Sequence, residues 1–227
     1  MNRTLAPEWL DVLPPQDLAA IGSRRDLRRL NYFMRHPALV AGALRACFPG
    51  SPPRCLAELG AGDGAFLLQS ARLLAPHWPR LHVVLVDRQP SFSESAQRAF
   101  ARIGWTTEVV AADVFDWLEM GGVEAAVANL FLHHFDDPQL GRLLRAVAAR
   151  RIALVACEPR RAWFPYVASH LLGGLGCNAV TRHDAPISVR AGFRGAELTA
   201  LWPRENWLVR EREAGLFSHL FQARPAP

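Results

Sequence analysis

Three glycines at every second position, Gly60, Gly62 and Gly64, restrict this chain more than any other stretch. An apolar run, Cys55-Leu56-Ala57, leads into Glu58 ahead of them, and Ala65-Phe66-Leu67-Leu68-Gln69-Ser70 follows in a helix-compatible pattern. This reads as a strand that ends, a tight turn and a helix that begins. Glycine is needed where such a turn takes φ > 0 or where the backbone approaches something that a Cβ would block. The bared amides at the helix start then face whatever binds above the strand, an arrangement suited to a nucleoside-containing cofactor.

Two relatives of this turn are excluded by residues. A phosphate-binding P-loop requires G-x-x-x-x-G-K-[ST], and all 26 basic residues here are arginine. A dinucleotide fingerprint has G-x-G-x-x-G, a different spacing. The pattern Glu58-x-Gly60-x-Gly62-x-Gly64 resembles motif I of the class I S-adenosylmethionine-dependent methyltransferases. A sulfonium amino acid has no pyrophosphate to cradle but has a cationic amino-acid end, and an acidic residue just before the turn suits that charge.

Downstream, strands and helices alternate. Residues 81–87 form a near-continuous apolar, β-branched run that ends in Asp87, as buried parallel strands do. A helix over 93–103 leads to a strand over 107–111 and then Asp113. Residues 123–128 make a fourth strand, 138–150 a helix and 152–157 a fifth strand. Residues 161–200, with Trp163, Phe164, Tyr166 and the Gly173-Gly174-x-Gly176 break, look like an insert that carries acceptor specificity. Two closing strands span 206–213 and 217–223 around Ala214-Gly215. Five strand–helix repeats followed by a hairpin predict an α/β fold with a doubly wound, Rossmann-like sheet. The resemblance implies seven mostly parallel strands with the last entering antiparallel, N-terminal helices, and the insert after strand five. We divide the chain into an N-terminal helical lid or cap (1–53) and the cofactor-binding domain (54–227).

The same resemblance implies S-adenosylmethionine as cofactor and S-adenosylhomocysteine as product. It places cofactor contacts at Glu58, Gly60, Ala61, Gly62, Gly64, Asp87, Arg88, Asp113, Val114, Asn129 and Leu130. Asp87, at the end of the second strand, is placed to accept the ribose hydroxyls, with an ordinary turn aspartate as the alternative. Asp113 matches the adenine-recognising position and is also placed to cap the next helix. The stretch 129–138, Asn-Leu-Phe-Leu-His-His-Phe-Asp-Asp-Pro, resembles the segment after strand four in small-molecule methyltransferases of the ubiquinone/menaquinone-biosynthesis type.

Methyl transfer is an in-line displacement, so positioning is the enzyme's main contribution. A phenolic acceptor must also lose a proton, and an imidazole is suited to take it. The candidates are His133, His134 and His183, the last with Asp184 as orienting partner; packing and helix capping are the competing roles. Neighbouring side chains diverge, so only one of His133 and His134 is expected to face the pocket. No carboxylate or thiol stands at ligand spacing from these histidines, and no metal is expected. The four cysteines lack C-x-x-C spacing, which argues against a zinc site or a disulfide framework.

Composition bounds the rest. With 227 residues, 50% hydrophobic and 21% charged, the chain is long enough to bury a core without disulfides. No apolar run reaches membrane-spanning length, and the first residues lack the apolar core of a signal peptide, so a cytoplasmic location is expected. Residues 1–15 read as an irregular lead-in. A helix from 16 to 35 is expected to break near Gly22-Ser23, where Ser23 and Asp26 resemble a capping box. An apolar helix over 37–48 follows. Arg28, Arg29 or Tyr32 is placed to meet the cofactor carboxylate or an acidic substrate; a solvated arginine face is the alternative.

The favoured reading is methyl transfer to a small, apolar, hydroxylated or enolic metabolite such as a phenol, quinol or polyketide, by O-methylation with a histidine base. An RNA or protein methyltransferase is the alternative suggested by the formal charge of +5. Asn129-Leu130-Phe131-Leu132 lacks the prolines of the base-flipping [DN]-P-P-[YFW] motif, which disfavours nucleic acid as partner. A non-enzymatic scaffold is disfavoured because the motif I glycines and Asp87 are all present. The oligomeric state is left open.

Overall fold

The computed structural model describes residues 1–120 and 122–227. Three helices open the chain: α1 (Trp9–Val12), α2 (Leu18–Phe33) and α3 (His36–Cys47). Then β1 (Cys55–Leu59), α4 (Ala65–Leu74), β2 (Leu81–Asp87), α5 (Glu94–Arg102), β3 (Trp105–Ala111), α6 (Val114–Met120), β4 (Ala125–Asn129), α7 (Asp137–Ala149) and β5 (Ala153–Pro159) alternate. Helices α8 (Trp163–Ser169), α9 (Ala179–Ala191) and α10 (Glu197–Leu201) precede a hairpin of β6 (Trp207–Ala214) and β7 (Ser218–Pro225). The sheet order is β3-β2-β1-β4-β5-β7-β6. Strands β1 to β5 pair in parallel, and β7 slots antiparallel between β5 and β6. This is the seven-stranded doubly wound sheet expected from the sequence.

Strand residues alternate between two cores, one on each face. On β2, Val83 and Leu85 join the core under α3, α4 and α5, while Val84 and Val86 join the core under α6 and α7. On β5, Val155 and Cys157 face the first and Leu154 and Ala156 the second. A strand buried on both faces has no polar side to show, which is why these runs read as continuously apolar.

Helix α3 packs into the first core through Val40 and Leu44, both fully buried. The segment before it, together with His36 at its first position, lies over the strand ends. The break expected near Gly22-Ser23 does not occur: α2 runs unbroken, capped by Asp17, whose side chain accepts from the amides of Ala19 and Ala20. Those two small residues serve tertiary packing instead. A Cβ on Gly22 would come within 2.7 Å of Asn178 Nδ2, and Ser23 Oγ meets Thr181 Oγ1 at 3.0 Å. Asp26, expected to complete a capping box, instead accepts from Asn178 N at 2.7 Å. The insert is therefore a helical wall docked onto α2.

Candidate active site

The glycine turn joins β1 to α4 with Gly60, Gly62 and Gly64 at φ +70°, +54° and +69°. The amides of Gly60 and Ala61 donate to Val86 O, which lashes the turn to β2. At Gly60 the approach is close as well: an added Cβ would lie 2.3 Å from the Phe131 ring. Gly64 does not line the cavity described below; its space is filled by Phe92 and Leu85, so its requirement is the turn and its packing.

Glu58 ends β1 beneath this turn. Its side chain is 2% exposed, and Oε2 has no hydrogen-bond partner. Burial, reinforced by the Asp63 and Asp87 carboxylates, raises its pKa well above the usual carboxylate value. A buried, unpartnered acid is costly unless a cation joins it. Asp87 Oδ2 accepts from Gly62 N at 2.8 Å and Oδ1 from Gln89 N at 2.8 Å, which holds the carboxylate at the cavity edge. Asp113 Oδ1 accepts from Phe115 N and so caps α6 while lining the same cavity. Ala61, Arg88, Val114, Asn129 and Leu130 line it too. Leu130 has φ +53°, a strained conformation for a leucine and one that clusters at functional sites.

Helix α2 reaches the turn from above. Arg28 Nη1 donates to Asp63 Oδ2 at 2.6 Å, and Asn129 Nδ2 donates to Asn31 Oδ1 at 3.2 Å. Of the three lid residues named from the sequence, Arg28 lines the cavity; Arg29 and Tyr32 do not. His36, fully buried, links Asn129 Oδ1 (3.0 Å) to Ser218 Oγ (2.6 Å). Burial lowers its pKa to about 4, so the ring is neutral at pH 7. Asn129 Oδ1 only accepts, which puts the ring proton on Nδ1 and leaves Nε2 to accept from Ser218.

The cavity has a volume of about 890 Å³. Beyond the turn its walls are Leu13, Leu27, Met34, Pro165, Leu172 and Phe217, from the N-terminal segment, α2, the insert and the hairpin. The N-terminal segment is not a loose lead-in. Asp184 accepts from the amides of Trp9 (2.8 Å) and Leu10 (3.0 Å), and Trp9 stacks on His183 at 3.8 Å. Arg3 donates to Phe135 O and pairs with Asp137. These contacts strap residues 3–10 across the insert and bring Glu8 and Asp11 into the cavity wall.

The three catalytic candidates divide. His183 does not line the cavity; it binds Asp184 Oδ1 at 2.7 Å and supports Trp9, so it anchors the strap and is not placed for proton transfer. His133 lines the cavity but is 2% exposed, with Nδ1 2.7 Å from Glu158 Oε2 and Nε2 3.4 Å from Glu8 Oε1. Burial alone would lower its pKa, but the hydrogen bond to Glu158 and the charges of Glu158 and Glu8 prevail and raise it to about 10. An imidazole held between two carboxylates in this way keeps its proton in the ligand-free protein, which argues against His133 as the base. His134 lines the cavity, with Nδ1 3.2 Å from Asp11 Oδ2. Both paired histidines thus reach the cavity, because a 3-10 turn over Leu132–His134 sets their rings 4.2 Å apart.

Sequence reading missed Glu8, Asp11 and Glu158. Glu158 ends β5, fully buried, and its Oε1 accepts from the amides of Phe131 and Leu132. Its strand-end position, matching Glu58, Asp87 and Asn129, was the available signal. Nothing in the spacing of Glu8 or Asp11 pointed to this site.

Residues 56–150 match a family model described as a methyltransferase domain. A comparison with curated proteins found no match. Among solved structures, an O-methyltransferase family protein from Burkholderia thailandensis is 18% identical with a TM-score of 0.61, over 91% of this chain and 59% of that one. A plantazolicin methyltransferase in complex with SAH is 12% identical with a TM-score of 0.62, over 95% of this chain and 92% of that one. An N,N-8-amino-8-demethyl-D-riboflavin dimethyltransferase from Streptomyces davawensis is 19% identical with a TM-score of 0.53, over 94% and 62%. The chain thus spans about 59% of the length of the first of these, and likeness at such identities is one of fold. The seven-stranded sheet is thus a fold shared with these methyltransferases, and residues 56–150 are similar to a methyltransferase domain. No described helix is long and apolar enough to cross a membrane.

Proposed function

We propose that this chain transfers a methyl group from S-adenosylmethionine to a small, apolar acceptor bearing a hydroxyl or enol. The observation that carries this reading is the single cavity of about 890 Å³, with the glycine turn at one end and apolar walls at the other. Roofed by the chain's own N-terminal strap, it fits a small molecule beside a nucleoside better than it fits a macromolecule. The residues present suit the cofactor. Glu58, buried with its Oε2 lacking a partner, offers a carboxyl that ionises when a cationic amino-acid end joins it. Arg28, half-exposed beside Asp63, is in reach of a carboxylate. Asp87 keeps unused lone pairs for ribose hydroxyls, and Asp113 for an exocyclic amine. When bound, S-adenosylmethionine supplies an electrophilic methyl carbon on a cationic sulfur.

The chain's own contribution is to hold the acceptor in line and exclude water. The apolar walls do this through α2, the insert and the hairpin. The acceptor hydroxyl meets the polar cluster of Glu8, Asp11, His133 and His134, and its proton leaves past that cluster to solvent. The test is incubation of the purified protein with methyl-labelled S-adenosylmethionine and extract of the source cells, followed by partition of the label. Label in the organic phase supports a small-molecule acceptor. Label in RNA or protein refutes it.

A further inference from the structure

Glu8, His133 and His134 bring a carboxylate and two imidazoles together, with one ligand atom of each within 4.8 Å of the others. The Glu8 Oε1 to His133 Nε2 separation is 3.4 Å. That matches the edge of about 3.3 Å expected for a tetrahedron of ligands about 2.0–2.1 Å from a zinc ion. His133 Nε2 is buried and makes no hydrogen bond. The other ring nitrogen is held 2.7 Å from Glu158 Oε2, the carboxylate–histidine arrangement that fixes a ligating ring, and a cation at Nε2 displaces the proton that the ring holds in its absence. The remaining ligands have outer partners too: Ser188 Oγ donates to Glu8 Oε1 at 2.5 Å, and Asp11 Oδ2 stands 3.2 Å from His134 Nδ1.

We propose that Glu8, His133 and His134 bind a divalent transition-metal cation, Zn2+ in the first instance. Two imidazoles with one carboxylate select such an ion over Mg2+ or Ca2+, which prefer oxygen ligands. Glu8 with Glu158 behind His133 balances its two positive charges. Three protein ligands leave a coordination position open, and all three line the cavity, so the position faces the acceptor. This rests on the hydroxyl or enol acceptor proposed above. Its oxygen donates a lone pair to the cation, the O–H bond breaks, the proton leaves to solvent and the oxygen keeps the bonding pair.

The test is equilibrium dialysis of the full chain against Co2+, whose visible absorption reports coordination, with Zn2+ as competitor. Wild type, Glu8→Gln and His134→Gln are compared; His133 is left intact because it partners the buried Glu158. Expected is one Co2+ per chain, displaced by Zn2+, with both variants weakened by at least the roughly 10–100-fold typical of losing even an outer partner. S-adenosylhomocysteine affinity, measured by calorimetry on the same samples, stays unchanged and shows that the variants are folded. No Co2+ retained by wild type, or equal affinity in wild type and both variants, overturns the site. Cation binding without S-adenosylhomocysteine binding upholds the site and overturns the methyltransferase reading instead.

Discussion

Replacing Glu58 by glutamine separates stability from binding with opposite signs. The carboxyl is buried beside Asp63 and Asp87, and its folded pKa lies well above the unfolded value of 4.5. A group raised on folding favours the native state below the unfolded pKa, and that favour is lost as pH rises toward the folded pKa. At pH 7, about 2.5 units above 4.5, keeping the site protonated costs up to about 3.4 kcal/mol at 1.36 kcal/mol per unit. Glutamine never ionises, though burying its amide takes back about 1 kcal/mol or more. The net gain is at most about 2 kcal/mol, a rise in Tm of no more than about 4–8 °C for a chain of this size. In denaturant titrations of the ligand-free protein, the gap between variant and wild type opens above pH 4.5. It widens by about 1.4 kcal/mol per pH unit until the folded pKa is passed. Binding moves the other way. The cationic end of the ligand exchanges a charge-assisted hydrogen bond for a neutral one, about 1–1.5 kcal/mol, so S-adenosylhomocysteine affinity falls about 5–12-fold. A ligand-free variant no more stable than wild type at pH 7, or one that binds with undiminished affinity, refutes the assignment of Glu58 as an acid awaiting a cation.

Three further outcomes are expected. Asp87→Ala lowers calorimetric affinity for S-adenosylhomocysteine by about 1.5–3 kcal/mol, the scale of a hydrogen bond to a charged group, and unchanged affinity removes the ribose role. His36 is neutral when folded, its pKa lowered to about 4 from 6.5, so its contribution is complete above pH 6.5 and is lost as pH falls toward 4. In the Glu58→Gln background, where the opposing slope is absent, stability should rise with pH across that window; His36→Gln should flatten the rise, and a rise that survives the substitution contradicts the assignment. Asp184→Ala releases the amides of Trp9 and Leu10, so hydrogen exchange there accelerates while cofactor affinity holds. Unaltered protection at those amides means that the strap is held elsewhere.

Local chemistry made the frame legible in sequence. The turn at Gly60, Gly62 and Gly64 depends on positive φ angles that glycine adopts without steric cost. The strands show as continuous apolar runs because both faces of β2 and β5 are buried. Strand-end acids such as Glu58 and Asp87 sit within a few residues of these signals, so their arrival at one cavity follows from the topology of a doubly wound sheet.

Tertiary packing decided the acceptor side. Glu8 meets His133 across 125 positions of sequence only because Asp184 holds the Trp9 and Leu10 amides and Ser188 orients the Glu8 carboxylate. His133 has one character in an exposed turn and another between two buried carboxylates, and nothing adjacent in the chain announces Glu158. Gly22 and Ser23 look like a helix break until α9 is laid against them. Turn and strand signals are short-range, set by a residue's own backbone and its nearest neighbours. The docking of α2, α9 and the N-terminal strap is a sum of many weak contacts between distant segments, which no spacing along the chain encodes.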